Sequence, residues 1–299
     1  MAERAASGRP VLVTGATGHV GSELVGELLR AGRPVRALSR DDLERAGVEA
    51  VRGDVLDRGS LDATLEGVEA AYYLVHALAS GASFAGEEQQ GAQNFAAAAR
   101  AAGVERIVYL GGLAHGDDLS EHLRTRQEVG EILRASGVLT VELRASVVVG
   151  EGSASFELVR GLVDYLPALV LPDWIETTCQ PIALADVVAY LVEALRVEVA
   201  GSAVFEIGGA DRITYRRLLE EYARAAGVDR PTVALPVLPV PFASWLTSLA
   251  PEQVRVWGRL ADSLRFDSTV QDGAAARAFS VRPRGVREAI AEVVAPAAA

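Results

Sequence analysis

The sequence predicts an α/β protein built on a doubly wound parallel sheet, and three observations carry the prediction. Short apolar runs suited to strands buried on both faces alternate with segments whose apolar residues recur at helical spacing. A glycine-rich turn joins the first of these strands to the first helix. Apolar residues make up 50% of the 299-residue chain, enough for one large α/β domain or for a domain with a smaller lobe attached.

In chain order, Val11–Thr14 reads as a strand. Val20, Leu24 and Leu28, with Val25 and Leu29 beside them, mark one face of the helix that follows, and Gly32 closes it. Further strands are expected over residues 34–39, 48–52, 70–75, 106–110 and 139–149, with crossover helices at 93–102 and 121–135. The alanine-rich run 95–102 reads as a close-packed helix, and Tyr72 and Tyr73 as strand packing. After Gly150 the rhythm loosens into short mixed elements. Residues 1–150 are therefore expected to form the sheet domain. Residues 151–299 are expected to form a smaller substrate lobe, partly interleaved with the first, over the carboxyl ends of the strands where ligands of such sheets bind.

Composition and motif absences exclude several classes. A net charge of −11 opposes phosphate backbones, so no nucleic acid partner is expected. Cys179 is the only cysteine, and the first nine residues lack a signal peptide's apolar core; both fit a cytoplasmic protein. The most apolar stretch, 233–250, is interrupted by Pro236, Pro239 and Pro241 and reads as a covering loop and short helix, not a transmembrane segment. No histidine pair stands at metal-ligand spacing with Cys or carboxylate support, and there is no Gly-x-Ser-x-Gly elbow, so neither a metal site nor a serine hydrolase is expected. The charge pairs of Arg216, Arg217, Glu220 and Glu221 fit an amphipathic helix face, with Leu218, Leu219 and Tyr222 available for packing. Trp174, Phe242, Trp245 and Trp257 suit either an apolar pocket wall or a core.

The sharpest local signal is Gly15-Ala-Thr-Gly18-His-Val-Gly21, placed between strand and helix. That spacing fits a dinucleotide pyrophosphate: Gly15 permits a tight turn, Gly18 a close approach of the phosphates, and Gly21 a close packing of helix on strand. Thr17, His19 and Val20 complete the cradle, where the helix N-terminus offers free N–H groups and its positive dipole end. At the end of the second strand, Ser39 and Arg40 suit a ribose 2′-phosphate through a hydroxyl and a planar guanidinium, which favours NADP(H). Asp41 and Asp42 follow at once and keep NAD(H) possible; Arg40 read as a solvated surface charge is the plain alternative. Gly53, Asp54 and Val55 offer a carboxylate beside the adenine, unless Asp54 serves as a helix cap. Val75 and His76 after the fourth strand, and Gly111 and Gly112 after the fifth, are expected to line the rest of the groove.

These motifs, with Tyr72-Tyr-Leu-Val-His76, Tyr109-Leu-Gly-Gly-Leu113, Leu143-Arg-Ala-Ser-Val-Val-Val-Gly150, Gln180-Pro-Ile, Asp186-Val-Val and Phe205-Glu-Ile-Gly-Gly209, resemble an atypical short-chain dehydrogenase/reductase. The similarity looks closest to the NAD(P)H-binding, NmrA-like branch, near the nucleotide-binding accessory subunit of respiratory complex I. It covers roughly residues 10 to 230 and, more loosely, the C-terminal tail. It implies a Rossmann domain with a small substrate lobe, and no particular reaction.

Active members of that family usually carry a Ser or Thr after the fifth strand and a Tyr-x-x-x-Lys on the next helix. Here the strand runs into Gly111 and Gly112, and set against the family pattern His122 falls at the Tyr position and Arg126 at the Lys position. Four residues apart, both lie on one helix face. An unperturbed imidazole titrates near pH ~6.5 and can supply a proton, and a guanidinium can hold ribose hydroxyls or a developing oxyanion. The plain alternative is a half-exposed His and an Arg paired with Glu121, Glu128 or Glu131. His76 and His115, each following a strand, are rival proton sources.

Two readings follow. One is a reductase that uses NADP(H) on a small, rather apolar carbonyl or enone. The other is a non-catalytic NADP(H)-binding sensor or accessory protein that meets a protein partner. A bound nicotinamide already carries the difficult chemistry, which favours the enzyme.

Overall fold

The computed structural model describes residues 8–76, 84–116, 118–165, 169–229, 232–235 and 262–295. Its strands are β1 (Val11–Thr14), β2 (Val35–Ser39), β3 (Val48–Arg52), β4 (Ala70–Tyr73), β5 (Arg106–Gly112), β6 (Leu139–Ala145), β7 (Val148–Val149), β8 (Leu169–Pro172), β9 (Thr178–Cys179), β10 (Ile182–Ala183), β11 (Ala203–Ile207), β12 (Ile213–Thr214) and β13 (Thr232–Leu235). Its helices are α1 (His19–Arg30), α2 (Arg58–Leu65), α3 (Phe84–Ala101), α4 (Glu121–Arg134), α5 (Ala154–Tyr165), α6 (Leu184–Ala194), α7 (Tyr215–Ala225), α8 (Ala274–Ala278) and α9 (Val286–Val294).

Seven strands form a parallel sheet in the order β11-β6-β5-β4-β1-β2-β3. This is the doubly wound Rossmann arrangement. Strand order reverses between β1 and β4, which opens a crevice at the carboxyl ends of those two strands.

Side chains alternate across each strand, so β1 feeds both faces: Val11 and Val13 join α1 and α6 on one side, and Leu12 joins the α2, α3 and α4 side. Val20, Leu24 and Leu28 of α1 pack there against Tyr72, Val187 and Leu191. On the opposite face Leu61, Leu65, Phe95, Ala99 and Leu133 close the second core. Each fully buried Leu contributes roughly 1.5–3 kcal/mol. A third apolar cluster lies beyond the sheet, where Phe156 and Val159 of α5 join Leu218 and Tyr222 of α7 and Ile290 of α9.

Three boundaries differ from expectation. The apolar run 139–149 is two strands, because the chain leaves the sheet at Ser146 and Val147 and β7 pairs with β10 instead. Helix α3 starts at Phe84, well before residue 93; its first half is largely polar, so apolar periodicity does not reveal it. The lobe half of the chain also returns a strand, β11, to the sheet edge beside β6. The stretch 236–250, with Phe242 and Trp245, lies outside the described residues, as do Trp257 and the side chain of Trp174. Among the described residues no helix is long and apolar enough to cross a membrane.

Candidate active site

The crevice is built at the end of β1. Thr14 Oγ1 donates to the Tyr72 carbonyl and accepts from the Leu74 N–H, both at 3.0 Å, which draws the ends of β1 and β4 together. Gly15 then turns with φ +66°, and a Cβ there would stand 2.7 Å from the Leu74 carbonyl oxygen. A Cβ at Gly21 would overlap the Gly15 carbonyl, so helix α1 sits against its own turn only because residue 21 is glycine. Gly18 differs. It is exposed on the cleft, and its nearest obstacle, the Gly15 carbonyl oxygen, would be 3.3 Å from a Cβ. As N-cap of α1 it contributes no side-chain hydrogen bond, which leaves the first-turn N–H groups facing outward. This glycine cradle fits a pyrophosphate in size and polarity.

From the turn, a cleft of about 740 Å³ runs along the carboxyl ends of the strands. Gly15, Thr17, Gly18, His19, Val20, Gly21, Ser39, Arg40, Gly53, Asp54, Val55, Val75, His76, Gly111, Gly112 and Arg126 all border it. Arg40 is exposed and makes no hydrogen bond or ion pair to a described residue, while Asp41 lines the cleft beside it. Asp54 accepts the Leu56 N–H at 2.9 Å as a turn cap, and the cap of α2 falls to Asp57 instead. Burial lowers the pKa of His19 at the mouth of the cradle.

Beyond the cradle, three elements bring ionisable groups together. Ser120 caps α4 through the Leu123 N–H, which sets His122 and Arg126 one turn apart on the cleft side. Arg126 donates to the Leu110 carbonyl at the end of β5 and lies 5.3 Å above the Tyr109 ring, whose hydroxyl donates to the Arg126 carbonyl at 2.9 Å. Burial pushes the Tyr109 phenol up to about 12. The His122 ring stacks near that of His76, with centroids 5.0 Å apart and planes at 36°. His76 Nδ1 is hydrogen-bonded to the buried Glu88 carboxyl of α3; an ionised Glu88 can only accept, which would place a proton on Nδ1 and leave Nε2 the acceptor of the neutral ring. Burial, then the Arg126 charge, lowers the His76 pKa, and Glu88 opposes both.

Helix α4 approaches β6 closely because Gly130 faces Glu142, where a Cβ would overlap the carboxylate. Glu142 is fully buried in the sheet and paired with Arg134 and, at 2.7 Å, with Arg144. His115 is elsewhere. It does not border the cleft: its Nε2 meets the Thr269 carbonyl at 2.9 Å, and Glu206 stands 3.7 Å away.

The wall formed by the end of β6 and the later part of the chain combines the apolar side chains of Leu158 and Leu264 with the hydroxyls of Ser146, Tyr215 and Ser268, while Leu113 and Leu123 border the cleft beside Arg126. Sequence reasoning did not single out Glu88, Tyr215 or Ser268. Glu88 reaches His76 from a different element, which no local spacing reveals, whereas Ser146 stood inside a motif already noted. Among the described residues no group of His, Cys, Asp and Glu could hold a metal ion.

The sheet order, the glycine cradle and the cleft define a dinucleotide-binding protein of the short-chain dehydrogenase/reductase class. Residues 8–148 match the NmrA-like family. A (4-alkanoyl-5-oxo-2,5-dihydrofuran-3-yl)methyl phosphate reductase of Streptomyces griseus is 31% identical over 229 residues, 73% of this chain and 74% of that protein. The divinyl chlorophyllide a 8-vinyl-reductase of Zea mays is 30% identical over 227 residues, 68% of this chain but only 56% of its own length. MoeE5, solved in complex with UDP-glucose and NAD, shares the fold with a TM-score of 0.74 at 22% identity, over 95% of this chain and 97% of that one. This chain belongs to the NmrA-like family, whose relatives here are reductases, and it is an oxidoreductase of that class.

Proposed function

We propose that the chain is an NADPH-dependent reductase of a small, largely apolar carbonyl or enone. The observation that carries this reading is the composition of the cleft: a phosphate cradle at one end, and at the other two stacked histidines facing apolar and hydroxyl side chains. Among the described residues, Arg126 is the one Arg at the substrate end of the cleft and it is tied to the Leu110 carbonyl, which favours an uncharged substrate over a phosphate such as that named for the Streptomyces relative.

The 2′-phosphate of NADPH is assigned to Ser39 and Arg40, and the pyrophosphate to the first turn of α1. When bound, the nicotinamide supplies a hydride. His122 delivers the matching proton from a ring nitrogen. His76, held by Glu88, fixes the neighbouring imidazole and keeps its own Nε2 as an acceptor toward the cleft. Arg126, tied to the end of β5, keeps a positive charge at the cleft floor that favours a developing oxyanion. Exclusion of water by Leu113, Leu123 and Leu158 strengthens both effects. A chain with one buried cysteine and this chemistry suits the cytoplasm.

The test is titration of purified protein with NADPH and NADH, followed by NADPH oxidation across a panel of ketones and enones. Turnover that disappears in His122→Ala supports the reading. Tight NADPH binding with no turnover on any compound would instead favour a non-catalytic NADP(H) protein that works through a partner.

A further inference from the structure

The far wall of the cleft carries three hydroxyls in a row. Ser146 Oγ, just past β6, lies 3.0 Å from Ser268 Oγ, and the hydroxyl of Tyr215, the first residue of α7, lies 3.2 Å from the same Ser268 oxygen. The Gln180 N–H donates to Ser146 Oγ at 3.1 Å. All three residues border the cleft, and their relative exposures of 7%, 5% and 4% mark them as part of the packed wall.

The three hydroxyls hold one proton more than their own hydrogen bonds use. Three hydroxyls hold three protons, and the two hydrogen bonds between them use two. The Gln180 N–H occupies a lone pair and consumes no hydroxyl proton. Among the described residues these hydroxyls make no other hydrogen bond, so one O–H has no acceptor within the wall. A buried donor left unmade is costly, and its open side is the cleft. A phenol donates more strongly than an alcohol, so donation runs from Tyr215 to Ser268 to Ser146 and leaves the surplus proton on Ser146.

We propose that Ser146, fed by Ser268 and Tyr215, is a substrate subsite that donates one hydrogen bond to the carbonyl oxygen of an uncharged ketone or enone. The proposal deepens the reductase reading and rests on it. One neutral donor beside Leu158 and Leu264 suits a carbonyl oxygen; a carboxylate or phosphate calls for charged donors, and the wall of Ser146, Leu158, Tyr215, Leu264 and Ser268 has none among the described residues. Burial keeps the Tyr215 phenol protonated, so it remains a donor.

The test uses cyclohexenone labelled at its carbonyl carbon, bound to the full chain with NADP+, and reads the carbonyl stretch by infrared difference spectroscopy. In the unaltered protein the stretch should lie below its value in hydrocarbon solvent. Ser146→Ala should return it toward that value and weaken cyclohexenone roughly tenfold, with NADP+ affinity unchanged. Tyr215→Phe should shift it part of the way. Should Ser146→Ala fail to fold, Ser268→Ala cuts the same chain one link back. A stretch that these variants leave unmoved overturns the subsite, as does failure of cyclohexenone to bind. NADPH oxidation measured in parallel separates the two claims. A lowered stretch without turnover on any enone supports the subsite and contradicts the reductase, whereas turnover with an unmoved stretch does the reverse.

Discussion

The imidazole rings of His76 and His122 lie 5.0 Å apart, centroid to centroid, although one follows β4 and the other opens α4. His76 is held from behind by Glu88, and the pair faces the cleft. His122→Ala should therefore lower kcat by roughly 10²- to 10⁴-fold, the usual contribution of a positioned acid. Its NADPH affinity should stay close to that of the unaltered chain. Steady-state kinetics with equilibrium titration decides it; a large loss of NADPH affinity with unchanged kcat would assign His122 to cofactor binding instead.

The glycine turn separates packing from ligand binding. Gly21→Ala drives a methyl into the Gly15 carbonyl and should lower the melting temperature sharply or abolish soluble expression. Gly18→Ala meets only a 3.3 Å contact, so its melting temperature should stay close to the unaltered value. Its methyl would occupy the cleft side of the turn, and NADPH should bind tenfold weaker or worse, a loss of about 1.4 kcal/mol. Thermal melts with and without NADPH distinguish the two variants.

Arg40 is the exposed cation at the end of β2, and it makes no ion pair among the described residues. Arg40→Ala should weaken NADPH by about 10- to 100-fold, as expected for a lost charge-assisted bond, and change NADH little. Equal losses for the two cofactors in a titration would place the 2′-phosphate elsewhere.

Burial lowers the pKa values of His19 and His76 below the ordinary 6.5. The unfolded chain then binds these protons more readily than the fold does, so stability falls as pH drops through about 6.5 and stops falling below the folded values. Glu221 and Asp267 have lowered pKa values, so their contribution is lost only in a more acidic window, beginning near 4.5 and 3.8. Melting temperatures should decline between pH 7 and 5.5, and His76→Gln should flatten part of that decline. An unchanged slope in that variant would contradict a neutral, buried His76.

Much of the fold was legible because each signal was local. Val20, Leu24 and Leu28 repeat at helical spacing and are buried on α1, and the short apolar runs at 11–14 and 106–110 are strands covered on both faces. The break at Ser146 was not legible, because Leu143 to Val149 stays apolar on both sides of the point where the chain changes sheets. The cleft-lining glycines and Arg40 could be placed from their offsets to strand ends. Glu88, Tyr215 and Ser268 could not, since each enters the cleft from an element remote in sequence, and only the fold brings Glu88 to His76 or Ser268 to Ser146.

The cleft is proposed to pass the hydride of its cofactor to a carbonyl or enone. NADPH deuterated at the transferable nicotinamide position tests it most directly, with the product analysed by mass spectrometry after incubation with an enone panel. One deuterium should appear in the reduced product from the unaltered chain and none from His122→Ala within the same time. Bound, unconsumed NADPH and unlabelled enones throughout the panel would contradict it.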